Sequence, residues 1–591
     1  MLLQRLKDYA DECMQLPPPL YSETPIRYVI ELNEDGTPRS RIPTDTSDPK
    51  DPRAKRGQRR LAPQVQRANV IRPLLLADKA DYTLGMGGEG AKPERVAACH
   101  VAYLDLLQRC ADATDEPDVQ AIQQFLGDDP ASQLELPEDF DTSGLITFSV
   151  WRGYAASFPI DLPSVRAFWF SVNDPDAKGD ASRMQCLICG QERPVLERLQ
   201  GKIKGVPGGQ TAGTAIISAN AAAFESYGLE ASLIAPTCGD CGEKFTKAAN
   251  ELIASEQNRI ILGGAAFIFW TRQPVPAFSF RSFLTEPKPE EVRDLLRTLR
   301  SGGLPPAVDA TKFYATVLSS SGGRCVVRDW IDTTVGEAAA HLAAWFERQR
   351  IVDAFGAEPP PLGVYRLAGA TVRELKDVAP TTPRALLEAA LDGTPVPASL
   401  LFQAVRRNRA EQRVTHPRAA LIKLVLLSQR HDSELQEGEM VRLDPAHPNA
   451  AYHCGRLLAV LEEVQRLALP GIKATIVDRF FGTASSAPGS VFGRLVRGAQ
   501  PHLGRLDRDR HGAYLALQRR LEEVQGALDG YPRVLNLEEQ GLFALGYYHQ
   551  RAFDREQARL AAERRRAGQA VSAAEAAYAE AVIDAEESNG E

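Results

Sequence analysis

Two cysteine pairs, Cys186-Leu187-Ile188-Cys189 and Cys238-Gly239-Asp240-Cys241, restrict the folds open to this chain more than any other feature. Each C-x-x-C spacing brings two thiolates to one tight turn, so two such turns can enclose one tetrahedral ion. Four soft sulfurs select zinc, with an iron–sulfur cluster as the alternative. Four protein ligands close the coordination sphere, so the site is expected to be structural and not catalytic. Unrelated buried thiols are the competing reading, but two such pairs among only nine cysteines argue against chance. Gly190, Gly239 and Gly242 suit turns that wrap an ion. The zinc is expected to pin an insert, residues 186–241, at its base.

The other cysteines are scattered, and the opening MLLQRLKDYADECMQ reads as an amphipathic helix rather than a secretory signal. The longest apolar run, Ile260 to Trp270, is too short for a bilayer span. A cytoplasmic setting with reduced thiols and no membrane contact is therefore expected. A chain of 591 residues exceeds one core, and two to four domains are expected. The formal net charge is −8, so binding to nucleic acid would need local basic patches.

Along the chain, the fold class reads as α+β. A mixed α/β region occupies residues 1–365, and an all-helical C-terminal bundle occupies 366–591. Strands are expected in IRYVIELNEDG, LITFSVW, VRAFWFSV, IILGGAAFIFW and RCVVRDW, which are rich in β-branched and aromatic residues. Helical patterns run from Pro93 to Leu126. Residues 37–72 carry few large apolar residues and read as a long loop or basic arm. Glu358-Pro359-Pro360-Pro361 marks a boundary. Further on, Leu457, Val460, Leu461, Val464 and Leu467 give one apolar seam, expected to bury one helix face. Leu506, Ala513, Leu517, Leu521, Val524 and Leu528 give a second.

Three segments could meet phosphates. The arm carries Arg53, Lys55, Arg56, Arg59 and Arg60, and the bland reading is a solvated charge run. Within the insert, Lys202, Lys204, Gly208, Gly209 and Gln210 form a glycine-rich loop whose amides and lysines could approach a groove. It lacks the G-K-[ST] of a Walker loop, and a plain surface loop is the alternative. In the bundle, Arg494, Arg497, Arg505, Arg508, Arg510, Arg519 and Arg520 are dense. Arg505, Arg508 and Arg519 are expected on one helical face, while Gly498 and Pro501 are expected to interrupt the stripe from Arg494. No catalytic constellation appears. His431-Asp432 is an isolated pair in a polar loop, without the further partners a phosphohydrolase needs. The chain reads as a non-enzyme.

In order and coverage, several passages resemble the large subunit of the type I-C CRISPR Cascade, an RNA-guided antiviral complex. They include LPPPLY, IRYVIELNEDG, KIKGVPGGQTAGTAIISANAAAFESYGLEASLIAP and TKFYATVLSSSGGRCVVRDW. Later come AAYHCGRLLAVLEEVQRLALPGIKATIVDRFFGTASSAPGSVFGRL and FALGYYHQR. Lys79, Ser218-Ala219-Asn220 and Ala235-Pro236 depart from the expected pattern. The resemblance implies a DNA- and RNA-binding subunit that senses the protospacer-adjacent motif, stabilises the R-loop and supports helicase-nuclease recruitment. Base pairing would read the sequence while protein reads the short flanking motif.

The implied partners are crRNA, double-stranded target DNA with its displaced strand, and the backbone and crRNA-processing subunits of Cascade. The resemblance also implies a small subunit translated from inside the same frame. Of five methionines, only Met440 lies in the helical region, so residues 440–591 are the expected product, a small-subunit-like bundle. Two other functions compete: a metal-dependent nuclease using His431-Asp432, and a stand-alone zinc-containing RNA-binding protein.

Overall fold

Alternating burial from Tyr28 to Asn33 seats one strand face on a core and sets the first sheet. The computed structural model describes all residues except 19, 49, 52–55, 66, 68–69, 174–181, 200, 220, 274, 276–278, 301–303, 431–437, 568–570 and 590–591, and the side chains of 262, 300 and 584–589. The chain divides into two compact units, one of residues 1–202 and 215–249, the other of 203–214 and 250–591. The division falls near residue 250, not at the expected 365. The reason is packing: one hydrophobic core runs from Ile260 in the second sheet to Val582 in the last helix.

The first unit opens with α1 (Leu2–Cys13), β1 (Tyr21–Ile26), β2 (Tyr28–Asn33), β3 (Thr44–Asp45), β4 (Gln58–Pro63) and β5 (Ala77–Asp78). Next come α2 (Ala80–Thr83), α3 (Pro93–Thr114), α4 (Pro117–Gly127), β6 (Ile146–Arg152) and β7 (Ala155–Ser157). The strands order as β3-β2-β6-β5, with β7 on β6, and β2 runs parallel to β6. The expected arm is not all loop: β4 pairs antiparallel with β1, setting Arg60 opposite Thr24 and Arg59 opposite Pro25. VRAFWFSV is also not a strand. It lies in α5 (Pro163–Asn173), because Pro163 suits a first helical turn and Val165 and Trp169, four apart, bury one face. The hairpin β8 (Arg183–Gln185) and β9 (Glu192–Pro194) and the helix α6 (Gly239–Ala254) complete the elements that begin here.

In the second unit, IILGGAAFIFW is a hairpin and not one run. It forms β10 (Arg259–Leu262) and β11 (Ala265–Thr271), with Gly263-Gly264 at the turn. Helices α7 (Phe280–Thr285), α8 (Pro289–Arg300) and α9 (Pro306–Asp309) lead to β12 (Lys312–Ser321) and β13 (Arg324–Thr334). The four strands order β10-β11-β12-β13, all antiparallel. A capping box of Thr334 and Glu337 starts α10 (Val335–Gln349). The rest is helical: α11 (Val364–Gly369), α12 (Thr381–Asp392), α13 (Ala398–Glu411), α14 (His416–Ser428), α15 (Ala450–Ala468) and α16 (Ile476–Ala484). Then follow α17 (Phe492–Asp509), α18 (His511–Gly526), α19 (Leu537–Arg566) and α20 (Ala573–Asn589).

Helix α15 is buried on nearly every side, not on one face as expected, because α16, α17, α18, α19 and α20 all pack against it. Its closest approach is to α19. A Cβ on Gly455 would stand 2.0 Å from the Phe543 carbonyl oxygen, so only glycine admits this crossing. Among the described residues no helix is long and apolar enough to cross a membrane.

Candidate metal centre and nucleic-acid surfaces

The β8–β9 hairpin turns through Cys186 to Gly190. Cys186 N donates to Gln191 O at 2.9 Å, and Gly190 N donates to Cys186 O at 2.8 Å, with Gly190 at a positive φ of 73°. The second pair stands at the entry of α6. Leu187 N donates to Pro236 O and Leu196 N to Thr237 O, at 2.9 and 3.0 Å, holding the two turns side by side. All four Sγ atoms, of Cys186, Cys189, Cys238 and Cys241, lie within 4.8 Å of one another, and no disulfide joins them. A tetrahedral zinc–thiolate centre with bonds of about 2.3 Å has sulfur–sulfur edges that this spacing accommodates. The cluster can therefore hold a metal ion.

The electrostatics favour a cation there. Burial pushes the Cys186 thiol up, but amide donors from Cys189, Cys238 and Ile188 outweigh it and bring the group down to about 7. Burial, with the neighbouring Cys238 and Cys186, pushes Cys241 far up. Four close sulfurs cannot all ionise without a cation, and a metal relieves that repulsion. Four thiolates around a divalent ion leave net negative charge, and two lysines stand close by. Asp11 accepts from Lys7 at 2.6 Å and pairs with Lys244 at 2.9 Å, and Lys244 also pairs with Asp240 at 3.0 Å. Their basicity reports the surroundings. The Asp11 hydrogen bond raises Lys7 first, and the Cys241 charge adds to it. The pairing of Lys7 and Lys244 through Asp11 was not legible from spacing.

The glycine loop is ordered, and most of it belongs to the second unit rather than to the cysteine insert. Ile203 and Thr214 exchange two backbone bonds of 2.8 Å at its neck. Ser320 Oγ, near the end of β12, donates to Pro207 O at 2.9 Å. The glycines answer this packing. Gly208 has φ +71° with Ser320 Oγ 3.0 Å from a notional Cβ, and a Cβ on Gly209 would stand 2.8 Å from Thr214 Cγ2. Lys204, Gly208 and Gln210 stay exposed at the tip, and Lys204 forms no ion pair among the described residues. Lys202, also exposed, closes the preceding segment of the first unit.

Of the arm, Arg53 and Lys55 lie outside the described residues. Arg56 and Arg59 are exposed. Arg60 is committed to the fold, pairing with Asp161 at 2.7 Å and lying 3.6 Å over the Phe158 ring. His431 and Asp432 also lie outside the described residues.

Pro501 does not break α17, which runs unbroken from Phe492 to Asp509. At about 100° per residue, Arg494, Arg497, Arg505 and Arg508 fall within roughly 80° of one another on this helix. All four are exposed, and Phe492, Leu495, Ala499, Leu503 and Leu506 bury the opposite face. Gly493, Gly498 and Gly504 open the arginine side, with nothing within 4 Å of a notional Cβ. Arg494 lies 4.9 Å from the Phe480 ring, and Arg479 lies 5.6 Å from it. Asp509 tempers the far end, pairing with Arg505 at 3.4 Å and Arg508 at 3.0 Å. Arg519 does not share this face as expected. It stands on α18, because the chain breaks helix at Arg510. Arg520 is held inside by Asp554 at 3.0 Å and by the Tyr578 ring at 4.3 Å.

The chain matches the family described as CRISPR-associated protein (Cas_Csd1) across residues 3–553. No curated protein matches it.

Proposed function

The chain belongs to the CRISPR-associated Cas_Csd1 family, and from that premise we propose that it is the large subunit of a type I-C Cascade, binding nucleic acid without cutting it. Family membership over residues 3–553 carries the reading. The exposed arginine face of α17 supports it, because guanidinium groups ranked along one helix can track phosphates and its glycines allow close approach. The cysteine cluster takes zinc, which holds the β8–β9 turn to the start of α6 and performs no chemistry on a substrate.

In this reading the glycine loop, with Lys202, Lys204, Gly208, Gly209 and Gln210, approaches target DNA at the protospacer-adjacent motif. Arg56 and Arg59, with the arm residues Arg53 and Lys55, add phosphate contacts. Arg494, Arg497, Arg505 and Arg508 hold the displaced strand of the R-loop, and Arg519 flanks them on the next helix. Arg60 contributes as a structural residue. The partners are crRNA, the backbone and crRNA-processing subunits, and the helicase-nuclease.

A product beginning at Met440 serves as the small subunit. Met440 sits in a turn just ahead of α15, and residues from there onward comprise α15 to α20, which pack on one another. Co-expression with the other subunits and crRNA tests assembly: the chain should elute with guide RNA, and elution alone would contradict the proposal.

A further inference from the structure

Two cavities of the second unit share the segment Pro359–Leu362. The larger, about 920 Å³, is lined by Arg259, Arg281, Arg366 and Tyr365, with Glu256 and Glu286 exposed at solvent. That volume suits a small-molecule site, for which roughly 300–1,000 Å³ is usual. The three prolines give one wall no backbone N–H and a fixed φ, so it is rigid.

The polar lining is basic and incompletely matched. Arg259 donates to the Ile253 carbonyl at 2.8 Å. Arg281, on α7, and Arg366, on α11, form no ion pair among the described residues. The Nε of Arg281 is buried with no hydrogen-bond partner. That nitrogen is closed to solvent, so an anionic oxygen in the cavity would pair with the terminal nitrogens of the guanidinium instead. Tyr365 donates its hydroxyl to the Ile261 carbonyl, which anchors the ring, yet the residue stays 45% exposed. Burial raises its phenol, while the nearby Arg281 charge works against that rise.

Guanidinium groups bind phosphate oxygens in pairs, and an anchored, exposed ring stacks a base of any sequence. A dicarboxylate would use the arginines but not the ring. We propose that this cavity binds one or two nucleotides, with a phosphate at Arg281 and Arg366 and a base against Tyr365. The site shares no residue with the α17 face or the cysteine cluster, and it stands whether or not the proposed assembly is correct.

The test uses the full chain and a 5′-phosphorylated thymidine tetranucleotide carrying one 5-iododeoxyuridine. Irradiation and peptide mapping should place an adduct on Tyr365. Arg281→Gln with Arg366→Gln should cut its yield about tenfold or more, the effect of losing charge-assisted bonds. Arg366→Gln alone, exposed on α11, should still cut it severalfold, which keeps the test valid if the double variant fails to fold. Arg109→Gln, at an exposed arginine of α3 that pairs with Asp105, should leave the adduct unchanged. Thymidine monophosphate competing at the concentration of the tetranucleotide would identify a free nucleotide as the occupant; competition only at about a hundredfold excess would identify a strand. No adduct at Tyr365 under saturation, or one indifferent to both arginine variants, overturns the proposal.

Discussion

The backbone amide of Cys238 points at Sγ of Cys186, 3.5 Å away and 52 residues distant in sequence. One half of the cysteine cluster thus donates to the other, and neither half can be complete alone. Elemental analysis should find about one zinc per chain. Cys186→Ser together with Cys238→Ser should abolish it and open residues 186–241 to protease, because the unfolded chain holds no preformed site. Cys110→Ala should keep full metal, since Cys110 lies outside the cluster. Full zinc retention in the double variant would contradict the assignment.

The arginine face of α17 predicts a salt-dependent loss. Replacing Arg494, Arg497, Arg505 and Arg508 by Gln should weaken retention of the displaced strand. It should also flatten the dependence of log K on log salt, by up to about 0.7 per phosphate contact for a single strand. Asp509 engages Arg505 and Arg508, so the Arg494 and Arg497 pair should account for more of the change. Footprinting of the displaced strand reads this directly, and unchanged protection would sink the role.

A third expectation concerns the glycine loop. Gly209→Val would press on Thr214 and the Val206 carbonyl. Binding to cognate duplex should fall more than binding to a pre-opened target, because only the duplex must be read at its flanking motif. Equal losses on both substrates would mean that the loop serves packing alone.

Met440 gives a fourth. Its side chain is buried and apolar in surroundings, so Met440→Leu should preserve the long chain. With a leucine codon that cannot initiate, the short product of residues 440–591 should vanish from expression gels. A persisting product would place the start elsewhere.

Much of the site was legible because its signals are local. Cysteine spacing alone named four residues that come together in space, and the alternation in IRYVIELNEDG named a strand. Signals that depend on distant partners were not. VRAFWFSV has strand-like composition, yet α5 forms because Val165 and Trp169 find the first core. Arg60 read as a solvated charge, but Asp161 and Phe158, about a hundred residues later, claim it.

Helix α17 shows the same limit from the other side. Gly498 and Pro501 are poor helix formers, yet Leu495, Ala499, Leu503 and Leu506 pack into the bundle and carry the helix through. Tertiary burial thereby lengthens an arginine face that local propensity would have cut in two. The buried pairing of Arg520 with Asp554 removes one arginine from that surface, and nothing in the spacing signals it.

The central claim is that this chain confers binding to duplex target on an RNA-guided complex. The most direct measurement compares target affinity of the assembled complex with and without the chain, on cognate duplex and on pre-opened DNA, with divalent metal present. The complete complex should bind the duplex, the depleted one should bind only the pre-opened target, and the chain alone should leave DNA uncut. Equal duplex binding without the chain, or cleavage by the chain alone, would contradict the account.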